Sequence, residues 1–458
     1  MAGLALSARR LNPRVALWLG CLICVLIAQG IAITHSYLWA APLVCVLVVA
    51  VATDLPIILF TGVILTVRVL SDASVSTQGA GSGSVGLSGG IGVLFILVAV
   101  GILLRRRRGL WPAAMAALWL CLWTAIAVLV DGASTETMRQ TVREGSVVAL
   151  AVIVYNSRGA ITVSVAARLV QLAGIASALL AIYQLGTHTG LDIAGQIRAN
   201  GTFNHPDGAV MFFAIATVAS LWRYVDAGRH RSDALFTAVY AAAAAATFSL
   251  DGLVSLLVML MAFGVLRPGS PRIRLGTYAV VGLLVIAFLA TPLGAERIAE
   301  ETSTKVDSAS THALASTSLG WRFYKWGLLI TQWEENPYFG KGLGTTTSAE
   351  GNEVVTTAGH APHNEYLRYL VETGVVGLAI LLWAAVILIR RLNRLRKMPG
   401  ILNAGTLGIA IAIGCLLDAV ADNTFLYTTT AYAAALIVVA VLSSSSSTPR
   451  RSSLTRAG

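Results

Sequence analysis

Charged residues are scarce in this chain. Only 12% of its 458 residues are Asp, Glu, Lys or Arg, whereas 56% are hydrophobic, and the mean hydropathy is +0.75. Soluble domains usually carry about 25% charged residues, so an ordinary soluble globular protein is excluded. Apolar runs close to the ~20 residues that a helix needs to cross a bilayer recur along the sequence. We therefore predict an all-α fold, a polytopic integral membrane helix bundle.

Cysteine is absent from the polar segments. All five cysteines lie inside apolar runs, at Cys21, Cys24, Cys45, Cys121 and Cys415. Cys21-x-x-Cys24 has the spacing of a metal-ligand pair, but zinc needs further ligands and no second pair follows. We interpret the pair as apolar packing, and no disulfide framework is predicted. The nucleotide-binding motif G-x-x-x-x-G-K-[ST] is also missing.

The apolar runs predict twelve to fourteen membrane spans. The first follows Arg9, Arg10 and Arg14, and it is interpreted as a retained span because no A-x-A cleavage site comes after it. The predicted spans are roughly residues 15–34, 38–53, 55–70, 91–104, 110–130, 145–157, 160–186, 207–222, 234–250, 252–266, 275–291, 366–389, 401–420 and 424–442.

Basic residues are concentrated in a few loops. The clusters are residues 105–108, 223–231, 267–274 and 390–397 and the tail arginines at 450, 451 and 456. Because cytoplasmic loops carry the excess of Lys and Arg, this distribution predicts cytoplasmic N- and C-termini. The net charge of +11 then reflects topology and attraction to the lipid bilayer, and no nucleic acid partner is expected.

The same topology places one long hydrophilic insertion outside the cytoplasm. The predicted organisation is an N-terminal transmembrane bundle (1–291), a long extracytoplasmic loop with short interfacial helices (292–365), C-terminal transmembrane helices (366–442) and a disordered cytoplasmic tail (443–458). Outside the cytoplasm neither ATP nor sugar nucleotides are available, so a transferred group must arrive already activated, for example on a lipid. We expect a multi-pass protein of the inner (plasma) membrane whose active site faces outward.

The long loop ends in AGHAPHNEYLRYLVETG, where two histidines precede an apolar helix. Asn364 is a suitable N-cap, and Glu365, Arg368 and Glu372 share one face of the predicted helix. His363 would then lie at the positive end of a long helix dipole, which favours the neutral imidazole and attracts phosphate. A base beside an anion site is what a transferase acting on a lipid diphosphate requires.

A metal site is the alternative interpretation of this loop. His360-x-x-His363 could chelate an ion with help from Glu350, Glu353 or Glu365. The spacing is not specific, however, and a metal ion would need these further ligands.

Arg198 is a second candidate for anion binding. It lies in RANGTFNHPDGAV, just before a helix start that Pro206 and Asp207 mark. A guanidinium group matches phosphate oxygens bidentately. A solvated loop arginine is the alternative.

Glycines follow a predicted helix in the long loop. Aromatic residues from Trp321 to Trp333 have helical spacing and favour a helix at the membrane interface, which Asn336-Pro337 would end. Gly340, Gly342 and Gly344 come next. They could form a simple turn or a nest of backbone N–H groups for an anion.

Together these segments resemble the O-antigen ligase/polymerase superfamily of bacterial cell-envelope glycosyltransferases. His363-Asn364, nine residues and Gly374-x-x-Gly377 are similar to its H-[NSQ]-x9-G-x-x-G signature. The upstream pattern of arginine, tryptophan and N-P-x-x-G-x-G is similar to Arg322, Trp326, Asn336, Pro337, Gly340 and Gly342. The family segment RxxGTFxxP matches at Arg198, Gly201, Thr202, Phe203 and Pro206.

The resemblance implies a membrane-embedded enzyme that moves a glycan from a polyprenyl (undecaprenyl) diphosphate donor to a glycan, glycolipid or other envelope acceptor, and a ligase is our first hypothesis. No metal, nucleotide or other cofactor is implied. His363 would activate the acceptor hydroxyl and Arg198 would hold the donor diphosphate. Supporting roles would fall to His360, Asn364, Gly201, Gly340, Gly342, Gly374 and Gly377.

The chain departs from the family pattern at Leu250. The family often has a Ser-Arg pair at an external helix end, but here the segment reads FSLDGLV. Arg322 or Arg368 would then supply the missing phosphate-binding charge. Arg322 is the favoured candidate, because Glu365 and Glu372 are close enough in sequence to occupy Arg368.

Two other functions stay open at this stage. A polymerase of the same superfamily would join repeat units while they remain lipid-linked. A flippase or transporter would catalyse no covalent step, and it would need ionisable residues along the middle of the bundle. Asp251 and Asp418 are the few candidates, and both lie near predicted external helix ends.

Overall fold

The computed structural model describes residues 56–72, 87–106, 109–132, 134–193, 196–228, 230–267, 274–276, 278–279, 281–282, 286, 318–346, 362–398 and 401–444. The elements of the described residues are, in chain order, α1 Ile57–Leu70, α2 Leu87–Arg106, α3 Leu110–Asp131, α4 Thr135–Asn156, α5 Val163–Thr187, β1 Leu191–Ile193, β2 Gln196–Arg198, α6 Pro206–Asp226, α7 Arg231–Ala246, α8 Leu250–Leu266, α9 Ser318–Glu335, α10 Glu365–Leu395, α11 Leu402–Ala421 and α12 Thr428–Ser444.

Helices that could cross a membrane dominate the described residues. Five of them are long and apolar enough, namely α3, α5, α6, α10 and α11, and four shorter apolar helices, α1, α2, α8 and α12, accompany them. A mostly helical, polytopic membrane protein is thereby confirmed. The predicted spans 15–34 and 38–53 lie outside the described residues, and only fragments of 275–291 lie within them.

Most helix boundaries agree with the apolar runs. The largest exception is α4, which begins at Thr135, well before the predicted residue 145. Ser134 caps it by accepting a hydrogen bond from the Thr137 amide at 3.0 Å. The first turns of α4 are polar, so hydropathy alone cannot detect them.

Helix α6 forms the centre of the bundle. It packs against α5, α7, α8, α11 and α12, and nearly every residue from Pro206 to Ser220 is buried. Phe203, just before this helix, packs against Phe212 in a tilted arrangement and against Phe213 edge to face, with ring centroids 5.4 and 5.7 Å away. The RxxGTFxxP segment is therefore anchored in the core beside the first turn of α6.

One small hairpin departs from the all-α prediction. β1 and β2 are antiparallel, and Leu191 pairs with Arg198. Apolar residues alternate with polar ones on both strands, at Leu191, Ile193 and Ile197, which is the strand pattern. Three-residue strands are too short to stand out in a sequence that is mostly apolar. The hairpin fixes Arg198 at its last position.

Candidate functional site

Helix α10 is broken near its start. Gly374 has φ 64° and ψ −175°, a conformation that lies outside the helical region and that L-residues rarely adopt. The prediction of one long helix after His363 is therefore wrong. The helix that begins at Glu365 ends at the break, after residue 373. His363 still precedes the first turn, and that turn supplies most of the helix-dipole effect.

The N-P-x-x-G-x-G loop, residues 336–342, fills this break. The amides of Val375 and Val376 donate to the carbonyls of Pro337 and Tyr338, at 2.9 and 3.2 Å. In the other direction, the amides of Lys341 and Gly342 donate to the carbonyls of Val371 and Glu372, before the break, at 2.9 and 2.8 Å. The loop thus replaces hydrogen bonds that the break removes, as a membrane protein requires.

Close backbone contact explains the glycines of both motifs. A Cβ atom on Gly374 would lie 2.2 Å from the carbonyl oxygen of Tyr338, and one on Gly342 would lie 2.1 Å from the Ala127 amide. Gly340 also packs on the α10 backbone, and Gly377 faces Trp123. These positions form a structural junction, and the Gly342 amide is already bonded within it. The geometry therefore favours the turn interpretation over an anion-binding nest.

His363 is held in front of α10 by two residues that follow α11. Its amide donates to Asn423 Oδ1 at 2.8 Å, and its Nδ1 lies 2.8 Å from Asp422 Oδ1. Asn364 caps the helix as predicted, accepting from the Leu367 amide at 3.0 Å. The backbone of His363 has a positive φ of 49°, which is uncommon for a non-glycine residue and is seen at functional sites.

Asp422 completes a histidine–aspartate pair. Its side chain is 1% exposed, and Oδ2 has no hydrogen-bond partner among the described residues. Burial raises the pKa of Asp422 to about 6, the charge of Asp207 adds to the rise, and the hydrogen bond with His363 opposes it. An ionised Asp422 would hold the His363 ring with Nδ1 protonated, which leaves Nε2 as the basic nitrogen.

Asp207, in the first turn of α6, lies beside this pair. Arg198 Nη2 donates to Asp207 Oδ1 at 3.2 Å, and Arg198 Nε donates to the Thr247 carbonyl at 3.2 Å. The Nη1 atom of Arg198 has no hydrogen-bond partner in the part of the chain that the structure describes. His205 Nδ1 lies 3.1 Å from Asp207 Oδ2. Burial lowers the pKa of His205, but the charge and hydrogen bond of Asp207 outweigh this, so the pKa is raised.

The segment around Leu250 joins the same network through its neighbours. Ser249 Oγ lies 2.6 Å from Asp207 Oδ1 and 2.5 Å from Asp251 Oδ1. Asp251 in turn pairs with Arg322 of α9 at 3.4 Å. The position that lacks the family arginine is therefore connected by Asp251 to an arginine from another helix.

Helix α9 also contacts the histidine loop directly. Trp326 Nε1 donates to the carbonyl of Pro362 at 2.9 Å, one residue before His363. Arg322 lies about one helical turn before Trp326. Two contacts, with Asp251 and with the histidine loop, thus bring Arg322 to the same end of the bundle as His363.

We refer to these linked residues as the Asp207 cluster: Arg198, His205, Asp207, Ser249, Asp251, Arg322, His363 and Asp422. Within it, Asp207, His363 and Asp422 each offer an atom within 4.8 Å of the others that could bind a metal ion. Asp207 already pairs with the Arg198 guanidinium, so an ion would compete for its oxygens. The arrangement suits proton transfer, and metal binding is the alternative.

Arg368 belongs to a separate cluster. Its Nε donates to Glu365 at 2.5 Å, and its Nη1 donates to Glu372 at 2.8 Å and to Glu144 at 3.3 Å. Its side chain is 0% exposed and lies over the Tyr369 ring. We call Glu144, Glu365, Arg368 and Glu372 the Arg368 cluster. The predicted pairing of Arg368 with Glu372 is confirmed, and no solvent-accessible face of this guanidinium is left for a substrate.

The two clusters meet at the loop after α11. Glu365 Oε1 accepts hydrogen bonds from the amides of Phe425 and Leu426, at 2.9 and 3.0 Å. These residues lie three and four positions after Asp422. The Arg368 cluster therefore fixes the loop that presents the histidine's carboxylate partner.

The structure unites some candidates and adds others. It connects His363, Arg198 and Arg322 in one network. The Gly201 amide donates a hydrogen bond to Gln184 Oε1 at 2.8 Å. His360 lies outside the described residues. The residues that sequence reasoning did not assign to the site are His205, Asp207, Ser249, Asp251 and Asp422. Their signal was a polar residue at the end of an apolar run, and many residues share that property.

Residues 235–382 match the family model described as Wzy_C, O-antigen ligase. The matched segment contains Ser249, Arg322, the N-P-x-x-G-x-G loop, His363 and both glycines of the signature. The match confirms the resemblance to the superfamily and supports a glycosyltransferase-type ligase or polymerase activity in general terms. No curated protein matches the chain.

Proposed function

We propose that this chain, whose residues 235–382 match the O-antigen ligase family model, is an envelope glycan ligase. It takes a glycan from a polyprenyl-diphosphate donor and joins it to an acceptor hydroxyl on the extracytoplasmic face of the plasma membrane. His363 assists the transfer, and no metal ion takes part. A repeat-unit polymerase is the alternative with the same chemistry.

The observation that carries this proposal is the His363–Asp422 pair in front of α10. A buried carboxylate 2.8 Å from Nδ1 is the arrangement that fixes a histidine as a general base. The pair lies beside two arginines in the Asp207 cluster, and a diphosphate leaving group requires such cations. This combination of a base and cations supports group transfer over simple transport.

The proposed step balances as a single displacement. His363 Nε2 accepts the proton of the acceptor hydroxyl as its oxygen forms a bond to the anomeric carbon of the donor sugar. The bond from that carbon to the phosphate oxygen breaks, and its electron pair leaves with the polyprenyl diphosphate. Attack opposite to the leaving group inverts the anomeric centre. Asp422 stabilises the imidazolium that forms.

Arg198 and Arg322 bind the diphosphate in this proposal. Arg322 contacts Asp251, and Arg198 contacts Asp207 while its Nη1 has no hydrogen-bond partner among the described residues. A guanidinium with remaining donors can bind a phosphate oxygen while it keeps its carboxylate. Arg368 is proposed to have a structural role, because three carboxylates surround it.

Reconstituted protein provides the test. The full chain in proteoliposomes would receive a polyprenyl-diphosphate glycan of one repeat unit and a glycolipid acceptor, and both coupled product and released polyprenyl diphosphate would be measured. We expect release in step with coupling, unaffected by EDTA and absent in His363→Ala. Donor movement across the bilayer without bond cleavage would refute the transferase proposal. Inhibition by EDTA that added metal reverses would refute its metal-independent form.

The same assay separates ligase from polymerase. With donor alone, a polymerase would lengthen the lipid-linked chain by whole repeat units, whereas a ligase would leave it unchanged. Addition of the glycolipid acceptor should then produce one transfer per donor. Lengthening without acceptor would replace the ligase proposal by the polymerase alternative.

A further inference from the structure

Three arginines share one cavity near the C-terminal end of α10. The exposed side chains of Arg390, Arg391, Arg394 and Ile387 line an open cavity of about 410 Å³. Their positions, at i, i+3, i+4 and i+7, put them on one face of the helix. Among the described residues no acidic side chain pairs with any of these three guanidinium groups. The cavity therefore concentrates positive charge on one helix face.

Other arginines at this end of the bundle are paired. Arg223 bonds to Asp233 at 3.0 Å, and Arg267 bonds to Asp226. Arg396, next along α10, donates to Asn393 and to the carbonyl of Leu266 at 2.9 Å. Uncompensated charge is therefore a property of the cavity and not of every arginine at this level.

An exposed apolar surface leads up to the cavity. Between the break at Gly374 and Arg390, α10 exposes Ile380, Leu382, Trp383 and Val386, with Trp383 67% exposed. In a membrane helix such a face contacts lipid acyl chains. From the break at Gly374 to Arg390, α10 rises about 24 Å, which is most of the thickness of the hydrocarbon core. The cavity therefore lies toward the membrane surface opposite His363, near the level of lipid headgroups.

We propose that this cavity is a binding site for the phosphate headgroup of an anionic membrane lipid. The guanidinium groups bind the phosphate oxygens through paired N–H donors, and one acyl chain extends from Ile387 along the exposed apolar face. Basic pockets at this depth of membrane proteins bind such headgroups. The site is separate from the Asp207 cluster and does not depend on the proposed glycan transfer.

A simple topological role makes a different prediction. Arginines that only retain a loop in the cytoplasm act through their charge, and lysine serves equally well. A phosphate site of this kind depends on the planar fork of arginine, which lysine cannot reproduce. The triple change Arg390→Lys, Arg391→Lys and Arg394→Lys preserves the net charge and removes only the forks.

Native mass spectrometry of the full chain in detergent measures the binding. Phosphatidylglycerol should bind wild-type protein at least about tenfold more tightly than phosphatidylcholine of the same chain length, and the triple lysine variant should lose about tenfold, since one charged hydrogen bond is worth at least that factor. The control Lys397→Gln removes an exposed charge at the same end without touching the cavity, and it should change little. Inorganic phosphate at millimolar concentration should not displace the lipid.

Several outcomes would overturn the proposal. Equal binding of the two lipids, or unchanged affinity in the triple lysine variant, would leave only a topological charge cluster. An equal loss in Lys397→Gln would mean that general surface charge controls binding. Displacement by inorganic phosphate alone would identify a site for free phosphate in place of a lipid headgroup. Intact folding of each variant would be checked by its circular dichroism.

Discussion

The Asp207 cluster and the Arg368 cluster lie side by side, but their arginines differ in how many carboxylates surround them. Arg198 pairs with Asp207 and Arg322 pairs with Asp251, whereas Arg368 is surrounded by three glutamates and is 0% exposed. A buried guanidinium that neutralises several carboxylates cannot release them without a large desolvation cost. This contrast supports the proposal that the first cluster binds the anionic donor, whereas the second is proposed to be structural.

The Arg368 cluster also supports the Asp207 cluster structurally. Glu365 binds Arg368 through one oxygen and the amides of Phe425 and Leu426 through the other. The rigid cluster thus positions the loop that carries Asp422. Changes in the Asp207 cluster should affect transfer first, and changes in the Arg368 cluster should affect stability first.

The largest effect is expected at His363. His363→Ala should lower the transfer rate by ~100- to 10,000-fold, the usual loss of a general base, while the protein stays folded and inserted. The measurement is single-turnover glycan transfer in proteoliposomes. His360→Ala is the matched control in the same loop, and it should do far less. Equal losses in both variants, rescued by added metal, would support the metal alternative.

Asp422 should give the next largest effect and a characteristic pH dependence. With its pKa near 6, Asp422 is ionised above that pH and accepts from His363 Nδ1. Below it, the carboxyl becomes protonated and the orienting interaction weakens, so transfer should fall as pH drops through about 6. Asp422→Asn should lower the rate by ~100-fold or more at neutral pH. It should also shift the pH range over which the rate falls on acidification.

A rate–pH profile of wild type and Asp422→Asn checks this prediction. Thermal unfolding measured at the same pH values serves as the control, because loss of folded protein would also lower the rate. An Asp422→Asn variant with wild-type rate and profile would remove Asp422 from the mechanism.

The arginines of the Asp207 cluster should follow. Arg322→Ala should reduce transfer by ~10- to 100-fold, because a charged hydrogen bond to the leaving diphosphate is lost. Arg198→Lys should be nearly as poor as Arg198→Ala, since a point charge does not reproduce the fork. The KM for the lipid donor and the rate would be measured for each. Full activity in Arg198→Lys would exclude a bidentate role.

The smallest effect on transfer, and the largest on stability, is expected at Arg368. Arg368→Met leaves the buried Glu365 and Glu372 and the partly buried Glu144 without their cation, and breaking a buried ion pair costs ~3–5 kcal/mol. Thermal unfolding in detergent would report the loss, while the rate per folded molecule should change little. Adding Glu372→Leu to Arg368→Met should restore part of the stability. A folded Arg368→Met protein with an abolished rate would place Arg368 in the donor site.

Local sequence was sufficient for most helix boundaries. The apolar runs predicted the ends of α3, α5 and α11 within a few residues, because burial in lipid requires a continuous apolar segment. Asn364, Pro206 and Asn336-Pro337 marked helix ends through capping and backbone restriction, which act over a few residues. The family motifs also identified His363 as the candidate base.

Tertiary structure alone decided what those motifs do. The N-P-x-x-G-x-G loop and the Gly374-x-x-Gly377 motif are far apart in sequence, and only the fold shows that the loop fills the break in α10. Gly340, Gly342 and Gly374 therefore form a junction instead of an anion nest. Likewise Asp422, at the end of α11, becomes the partner of His363 only when α10 and α11 pack together. Capping and hydropathy are short-range and can be read along the chain. Pairing between the ends of different helices depends on how the helices pack, so it cannot be predicted from the local sequence.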